Sequence, residues 1–186
     1  MDKKFKYASE SQVAITQLML PAHSNFSGRV HGGHILNLMD QIAFACASKH
    51  CGNYCVTASV NKVDFLNPID VGDLVTLMAS VNYTGNSSMV VGLRVEAENI
   101  QKGYVKHCNS SYFTMVAKSE AGGNAKVPGL ILDTEEGIRR FTRSIRRMEQ
   151  GKVRVKRFAD SEFKVDEHMK FLEGRNVSVK LKSNLP

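Results

Sequence analysis

One change of hydrophobic period organises this chain. From Ile35 to Ser48 apolar residues recur at helical spacing, and Gly52-Asn53 supplies a helix stop. Beyond it the period falls to two. Val75, Leu77, Ala79, Val81 and Tyr83 alternate with Thr76, Met78, Ser80 and Asn82; Met89, Val91, Leu93, Val95 and Ala97 alternate with Val90, Gly92, Arg94 and Glu96. Thr84-Gly85-Asn86 between these runs reads as a hairpin turn. Cys55 to Leu66 and Tyr104 to Ala117 also read as strands, and Val13 to Met19 reads as a strand ahead of the helix. Short links between successive strands require antiparallel neighbours. The class is therefore α+β: a curved antiparallel sheet wrapping one long helix whose sides are apolar almost all round. Such a sheet leaves strand edges and helix ends uncovered, which favours pairing into dimers.

Length and composition fit one core. The chain has 186 residues, 42% hydrophobic and 23% charged, which excludes a disordered or fibrous protein. No apolar run approaches the roughly 20 residues of a membrane helix, and no signal peptide is visible, so a cytoplasmic protein is expected. Cys46, Cys51, Cys55 and Cys108 form no C-x-x-C pair and are expected to be reduced packing residues.

The net charge of +7 is unevenly spread. Residues 129–186 carry 14 basic and 9 acidic side chains, a net +5, against +2 in residues 1–128. Three segments are expected: a main domain over 10–128, a basic amphipathic helix over 129–157, and a tail of unknown role over 158–186. Pro128-Gly129 marks the boundary. Asp133 with Glu136 looks like a helix cap, and Ile138, Phe141, Ile145 and Met148 share one face. Arg139, Arg140, Arg143, Arg146 and Arg147 fill the rest, as a solvated face or as contacts to a ligand phosphate. In the tail, Val177, Val179 and Leu181 alternate as an edge strand would.

Chemistry concentrates around the start of the first helix. Asn37, Gln41 and Ser48 form a narrow polar stripe, while Asp40 lies outside it at the edge of the apolar face, beyond Phe44. A carboxylate there is costly to bury without a hydrogen bond, and aspartate is a poor helix former, so packing gives no reason for it. Gly32-Gly33 leaves the helix N-terminus open, with N–H groups able to stabilise negative charge on an oxygen. A zinc site at His31, His34 and Asp40 lacks a third convincing His or Cys ligand, and Gly32-Gly33 lacks the lysine of a phosphate loop. No metal site is expected.

The run Asn25-Phe26-Ser27-Gly28-Arg29-Val30-His31-Gly32-Gly33-His34-Ile35-Leu36-Asn37-Leu38-Met39-Asp40 resembles the signature of hotdog-fold acyl-CoA thioesterases. The likeness is to bacterial short-chain acyl-CoA hydrolases and the eukaryotic cytosolic and brain enzymes. It continues through Thr57-Ala58-Ser59-Val60, Val63-Asp64-Phe65-Leu66-Asn67-Pro68, Val71-Gly72-Asp73-Leu74-Val75 and Tyr83-Thr84-Gly85-Asn86-Ser87-Ser88-Met89 to Val127-Pro128.

The resemblance implies that Asp40 is the catalytic acidic residue and Asn25 the catalytic asparagine, contributed by different subunits. It implies that Gly32 and Gly33 hold the thioester carbonyl, and that Gly85, Asn86, Ser87 and Ser88 line the coenzyme A channel. A homodimer at minimum, assembled as a trimer of dimers in a hexamer, follows from the same likeness. Two positions depart from many relatives: His34 stands where a large aromatic is usual, and Asn86-Ser87 where Arg-Thr is common. Thr57 and Ser59 lie on the strand after the helix and either contribute hydroxyls to the substrate or serve the strand alone. Arg139 and Arg143 are the candidates for the nucleotide phosphates. The implied reaction is hydrolysis of acyl-CoA to free fatty acid and CoA, with Asp40 as general base or nucleophile and no cofactor beyond the substrate's own coenzyme A. A non-catalytic acyl-CoA sensor on the same fold is the alternative, though it needs neither Asn25 nor Asp40. A nucleic-acid module on the arginine-rich helix leaves the main domain unexplained, and no nucleic-acid or membrane partner is expected.

Overall fold

The computed structural model describes residues 4–159, 165–170 and 172–180. Its elements run β1 (Phe5–Tyr7), β2 (Val13–Leu18), α1 (Gly32–Cys51), β3 (Tyr54–Val60), β4 (Leu74–Thr84), β5 (Ser88–Asn99), β6 (Tyr104–Lys118), β7 (Gly129–Ile131), α2 (Glu135–Ala159) and α3 (Val165–Lys170). Short 3₁₀ turns occupy Ala8–Glu10 and Pro21–His23. Two compact units divide the chain, Met1–Arg146 and Arg147–Pro186. Among the described residues no helix is long and apolar enough to cross a membrane.

Five strands form one antiparallel sheet in the order β2-β4-β5-β6-β3. Alternate residues of its inner face, among them Val75, Leu77, Val91, Val95, Phe113 and Met115, are buried with Ile35, Leu38, Met39, Ile42, Ala43, Cys46 and Ala47 of α1. The helical spacing of the second set and the two-residue spacing of the first make a single core possible. Each large side chain buried there contributes on the order of 1.5–3 kcal/mol. Gly52 ends α1 in the left-handed region at φ 73°, its N–H bonded to Ser48 O at 2.8 Å. Gly92 is required for a different reason: a Cβ there would lie 2.1 Å from Nδ2 of Asn82 on the neighbouring strand.

His50, fully buried in the last turn of α1, ties three segments together. Its Nδ1 lies 3.1 Å from Ser11 Oγ and its Nε2 3.1 Å from Pro128 O. A carbonyl only accepts, so Nε2 carries the proton. Burial holds the imidazole below its ordinary value despite the Pro128 hydrogen bond.

Several sequence expectations change. The strand expected over 55–66 ends at Val60, because β3 has a neighbour on one side only and its residues from Thr57 onward are exposed, with nothing to bury. Beyond it the chain touches β6 through Asn61 N–H to Tyr112 O and Leu66 N–H to Cys108 O. The cap of α2 is Thr134, whose Oγ1 accepts from Gly137 N–H at 3.0 Å, and not Asp133. Glu136 instead binds Arg139 and Arg140. Of the face expected on α2, Phe141, Ile145 and Met148 are half-buried but Ile138 is 53% exposed, and Ser144, outside that set, is fully buried and donates to Arg140 O. Val177 and Val179 lie in no strand, and Leu181 is outside the described residues. One small sheet had no counterpart in the sequence reading: β1 pairs in parallel with β7, Phe5 opposite Gly129.

Candidate active site

Three places in the chain supply the candidate catalytic residues, each held by its own local geometry. The first is the start of α1. His31 is its N-cap and provides no side-chain cap, so the first N–H groups are left over. Those of His34 and Ile35 turn back to His31 O, whereas those of Gly32 and Gly33 have no acceptor among the described residues. A Cβ on Gly33 would meet nothing within 4 Å, and one on Gly32 would meet Phe65 Cζ at 3.2 Å. The positive end of the helix is thus open over Gly33 and bordered by the Phe65 ring over Gly32.

The second segment is Asp40 with Thr57. Seven residues separate Gly33 from Asp40, two turns or about 10 Å of helix, which puts both on one side. Helical side chains lean toward the N-terminus, so the carboxylate reaches back toward the free N–H groups. Thr57 Oγ1 donates to Asp40 Oδ1 at 2.6 Å and lies 3.5 Å from Met115 Sδ, which leaves Oδ2 without a partner among the described residues. A register shift between Thr57 and Ser59 interrupts the β3–β6 ladder at this point. Asp40 is not apart from the polar stripe, as the sequence reading had it. Asn37, Asp40, Gln41 and Phe44 are all exposed and make one arc, on the side of α1 that its own sheet leaves bare.

The third segment is the loop before the helix. Asn25 Oδ1 accepts from Ser27 N–H at 2.9 Å, Ser27 Oγ at 2.7 Å and Arg29 N–H at 3.2 Å. Its oxygen is therefore saturated inside the turn, and Nδ2 is the group left to donate. The loop is anchored by Val30 N–H to Ile69 O and by Arg29 to Asp70 at 3.7 Å. Asp70 in turn meets Lys106, which also binds the buried Asp73 at 3.0 Å. At the other end His23 stacks on His34 with ring centroids 4.0 Å apart. His34 Nε2 is buried without a partner among the described residues, and burial, with His23 beside it, pushes the ring's basicity down. Nothing in the spacing of His23 and His34 announces that stack.

The Gly85–Ser88 turn lies at the far end of β4. Gly85 N–H bonds Ser88 O, Asn86 O accepts from Val127 N–H at 3.0 Å, and Ser87 O accepts from Ala117 N–H at 2.9 Å. Tyr83, just before it, packs on Phe141 of α2 at 5.0 Å between ring centroids. Phe141 thus ties the end of β4 to α2, while Arg139 and Arg143, two positions to either side of it, lie on the opposite side of that helix. Arg139 is paired with Glu136, whose carboxyl is held down to about 2 by Arg139 and Arg140. Arg143 is exposed and makes no ion pair among the described residues. Ser59 is exposed beyond the register shift, on the same edge strand as Thr57. The structure therefore joins Asp40 to Thr57, and Tyr83 at the end of β4 to Phe141 of α2, within one chain. It places Asn25 on a separate loop with no hydrogen bond to Asp40. No group of three or more metal-ligating side chains occurs among the described residues.

Comparison with known proteins returns one theme. The model of the Thioesterase superfamily matches residues 27–104. Protein VdlD of Helicobacter pylori is 41% identical over 76% of this chain and 81% of its own. An acyl-CoA thioester hydrolase of Bacillus subtilis, YkhA, itself described as uncharacterized, is 34% identical over 80% of this chain and 87% of its own. Among solved structures, an apo hexameric acyl-CoA thioesterase superposes with a TM-score of 0.79, 36% identity, and coverage of 81% of this chain and 97% of that one. The acyl-CoA hydrolase of Staphylococcus aureus, solved with butyryl coenzyme A and coenzyme A, gives 0.76 at 29% identity, covering 90% and 98%. That enzyme has also been solved with alanine replacing an asparagine, an aspartate and a threonine. Their successive separations, fifteen and seventeen residues, are those of Asn25, Asp40 and Thr57.

Proposed function

The chain belongs to the thioesterase superfamily and has its hotdog fold, and from that premise we propose that it hydrolyses acyl-CoA thioesters to free acid and coenzyme A. One observation carries the reading: a carboxylate fixed by the Thr57 hydroxyl stands two helical turns below N–H groups that have no acceptor among the described residues. The thioester carbonyl oxygen sits at Gly32 and Gly33, where the helix end stabilises the charge that develops on it. Asp40 Oδ2 takes a proton from water as that water attacks the carbonyl carbon. Collapse of the tetrahedral intermediate then expels the coenzyme A thiolate. Asn25, with Nδ2 as its spare donor, orients water or carbonyl.

The site needs a second subunit. Residues Thr57 to Val60 of the edge strand β3 and the arc Asn37, Asp40, Gln41 and Phe44 are exposed side by side, a surface suited to a second copy of the chain. Asn25 of one subunit then meets Asp40 of its partner, and dimers associate into a hexamer; a similar acyl-CoA thioesterase is hexameric. Coenzyme A runs past Gly85, Asn86, Ser87 and Ser88, with Ser59 and Thr57 on the acyl side and Arg143 and Arg139 toward its phosphates.

Asp40→Asn tests the reading. Thiol release should fall about 10²-fold or more with the circular dichroism spectrum unchanged. Near-normal release from the folded variant would remove Asp40 from the chemistry.

A further inference from the structure

The turn between α1 and β3 carries two cysteines for which thioester hydrolysis has no use. Cys51 is the last residue of α1, Cys55 the second of β3, and their Sγ atoms stand 3.4 Å apart. The left-handed Gly52 reverses the chain between them, and Asn53 fixes the reversal through Nδ2 to Cys51 O at 3.0 Å. Asn53 N–H also donates to Cys51 Sγ at 3.4 Å. Exposure separates the two sulfurs: Cys55 is 1% exposed, whereas Cys51 is only half-buried. Acidity separates them too. The Cys55 thiol and the backbone around Asn53 hold Cys51 down to about 6 against the effect of burial, while the Cys51 contact and burial push Cys55 up. Cys46 and Cys108 are buried, and neither sulfur meets a second sulfur among the described residues; Cys108 Sγ donates to Lys106 O.

We propose that Cys51 and Cys55 are a peroxide-reactive dithiol that closes into a reversible intramolecular disulfide. Cys51, as thiolate, attacks one oxygen of hydrogen peroxide; the O–O bond breaks, the sulfur is oxidised to a sulfenic acid, and hydroxide leaves and is protonated to water. Cys55 then attacks the Cys51 sulfur, the S–O bond breaks, the Cys55 proton goes to the departing oxygen, and a second water forms. Two thiols and one peroxide give one disulfide and two waters. A disulfide needs sulfurs about 2 Å apart, so from 3.4 Å closure is a small movement within an existing turn. The less buried, more acidic thiol attacks and the buried one resolves, which spares Cys51 from oxidation to the irreversible sulfinic acid.

The test uses the full chain, reduced, freed of reductant and treated with hydrogen peroxide. Lys49 and Lys62 bound a tryptic peptide, residues 50–62, that contains both cysteines and no other cleavage site. This peptide is expected about 2 Da lighter after peroxide and restored by dithiothreitol. In Cys55→Ser the mass loss should vanish and dimedone should trap the Cys51 sulfenic acid. Cys51→Ser, which alters the more exposed member, should show neither. The proposal is overturned if both thiols of the natively folded protein still alkylate after peroxide. It is equally overturned if Cys51 reaches the sulfinic acid while Cys55 stays free, or if the bridge joins Cys51 residues of two copies.

Discussion

Thr57 is the residue on which the proposed site most depends apart from Asp40 itself. Its hydroxyl fixes Oδ1 at 2.6 Å and so leaves Oδ2 for water. Thr57→Val keeps the shape and removes that bond, and a hydrogen bond to a charged group is worth about 1.5–3 kcal/mol. Turnover should therefore fall about 10- to 100-fold with little change in KM, and Thr57→Ser should recover most of it. Unchanged turnover in Thr57→Val would make the threonine a strand residue only. Single turnover in ¹⁸O-water separates the two roles open to Asp40. A general base puts the label directly in the released acid, whereas a nucleophile puts it first in the Asp40 carboxyl. Asp40 was singled out through the resemblance of residues 25–40; the cost of burying a carboxylate does not apply to it, because the side chain is exposed in the polar arc of α1. Its bond to Thr57 was not legible, since it depends on the register of an edge strand and on a shift within it.

Among the elements, α1 was the most legible, because an unbroken helical period from Ile35 to Ser48 leaves few alternatives. The glycines, read as a lead-in, prove to be its first turn. β3 was overextended for want of a signal that it lies at an edge. β1 and β7 were missed because each has three residues and the partner lies far along the chain. His50 is the joint between the end of α1, the Ser11 turn and the approach to β7, and it carries a pH prediction. Its folded value lies below the unfolded 6.5, so as pH falls past 6.5 the unfolded chain takes up a proton first. Stability is thus complete above 6.5 and declines below it. Tm should fall between pH 7 and pH 5, and His50→Gln should flatten that fall. An equal slope in the variant would assign it to other groups; His34, shifted in the same direction, is the first to examine.

At the scale of the molecule, the boundary read at Pro128 cuts through a structural tie. Ending the chain there removes β7, leaves β1 unpaired, and takes Phe141 from Tyr83. Ending it after Arg146 keeps all three. The second truncation should hold Tm close to that of the full chain, while the first lowers it, at about 2–4 °C per kcal/mol for a chain of this size. If Arg139 and Arg143 serve the nucleotide, changing both to Gln should raise KM for acyl-CoA and spare an acyl-pantetheine thioester, which lacks the phosphates. Equal losses on both substrates would leave α2 a supporting role. The central claim, that this chain is an enzyme, is tested most directly by free-thiol release from acyl-CoAs of increasing length, acetyl through palmitoyl, in wild type and Asp40→Asn side by side. Rapid release by wild type alone is the expected result, and the series then gives its chain-length preference. Tight binding of acyl-CoA with no release at any length would contradict it and make the protein a sensor.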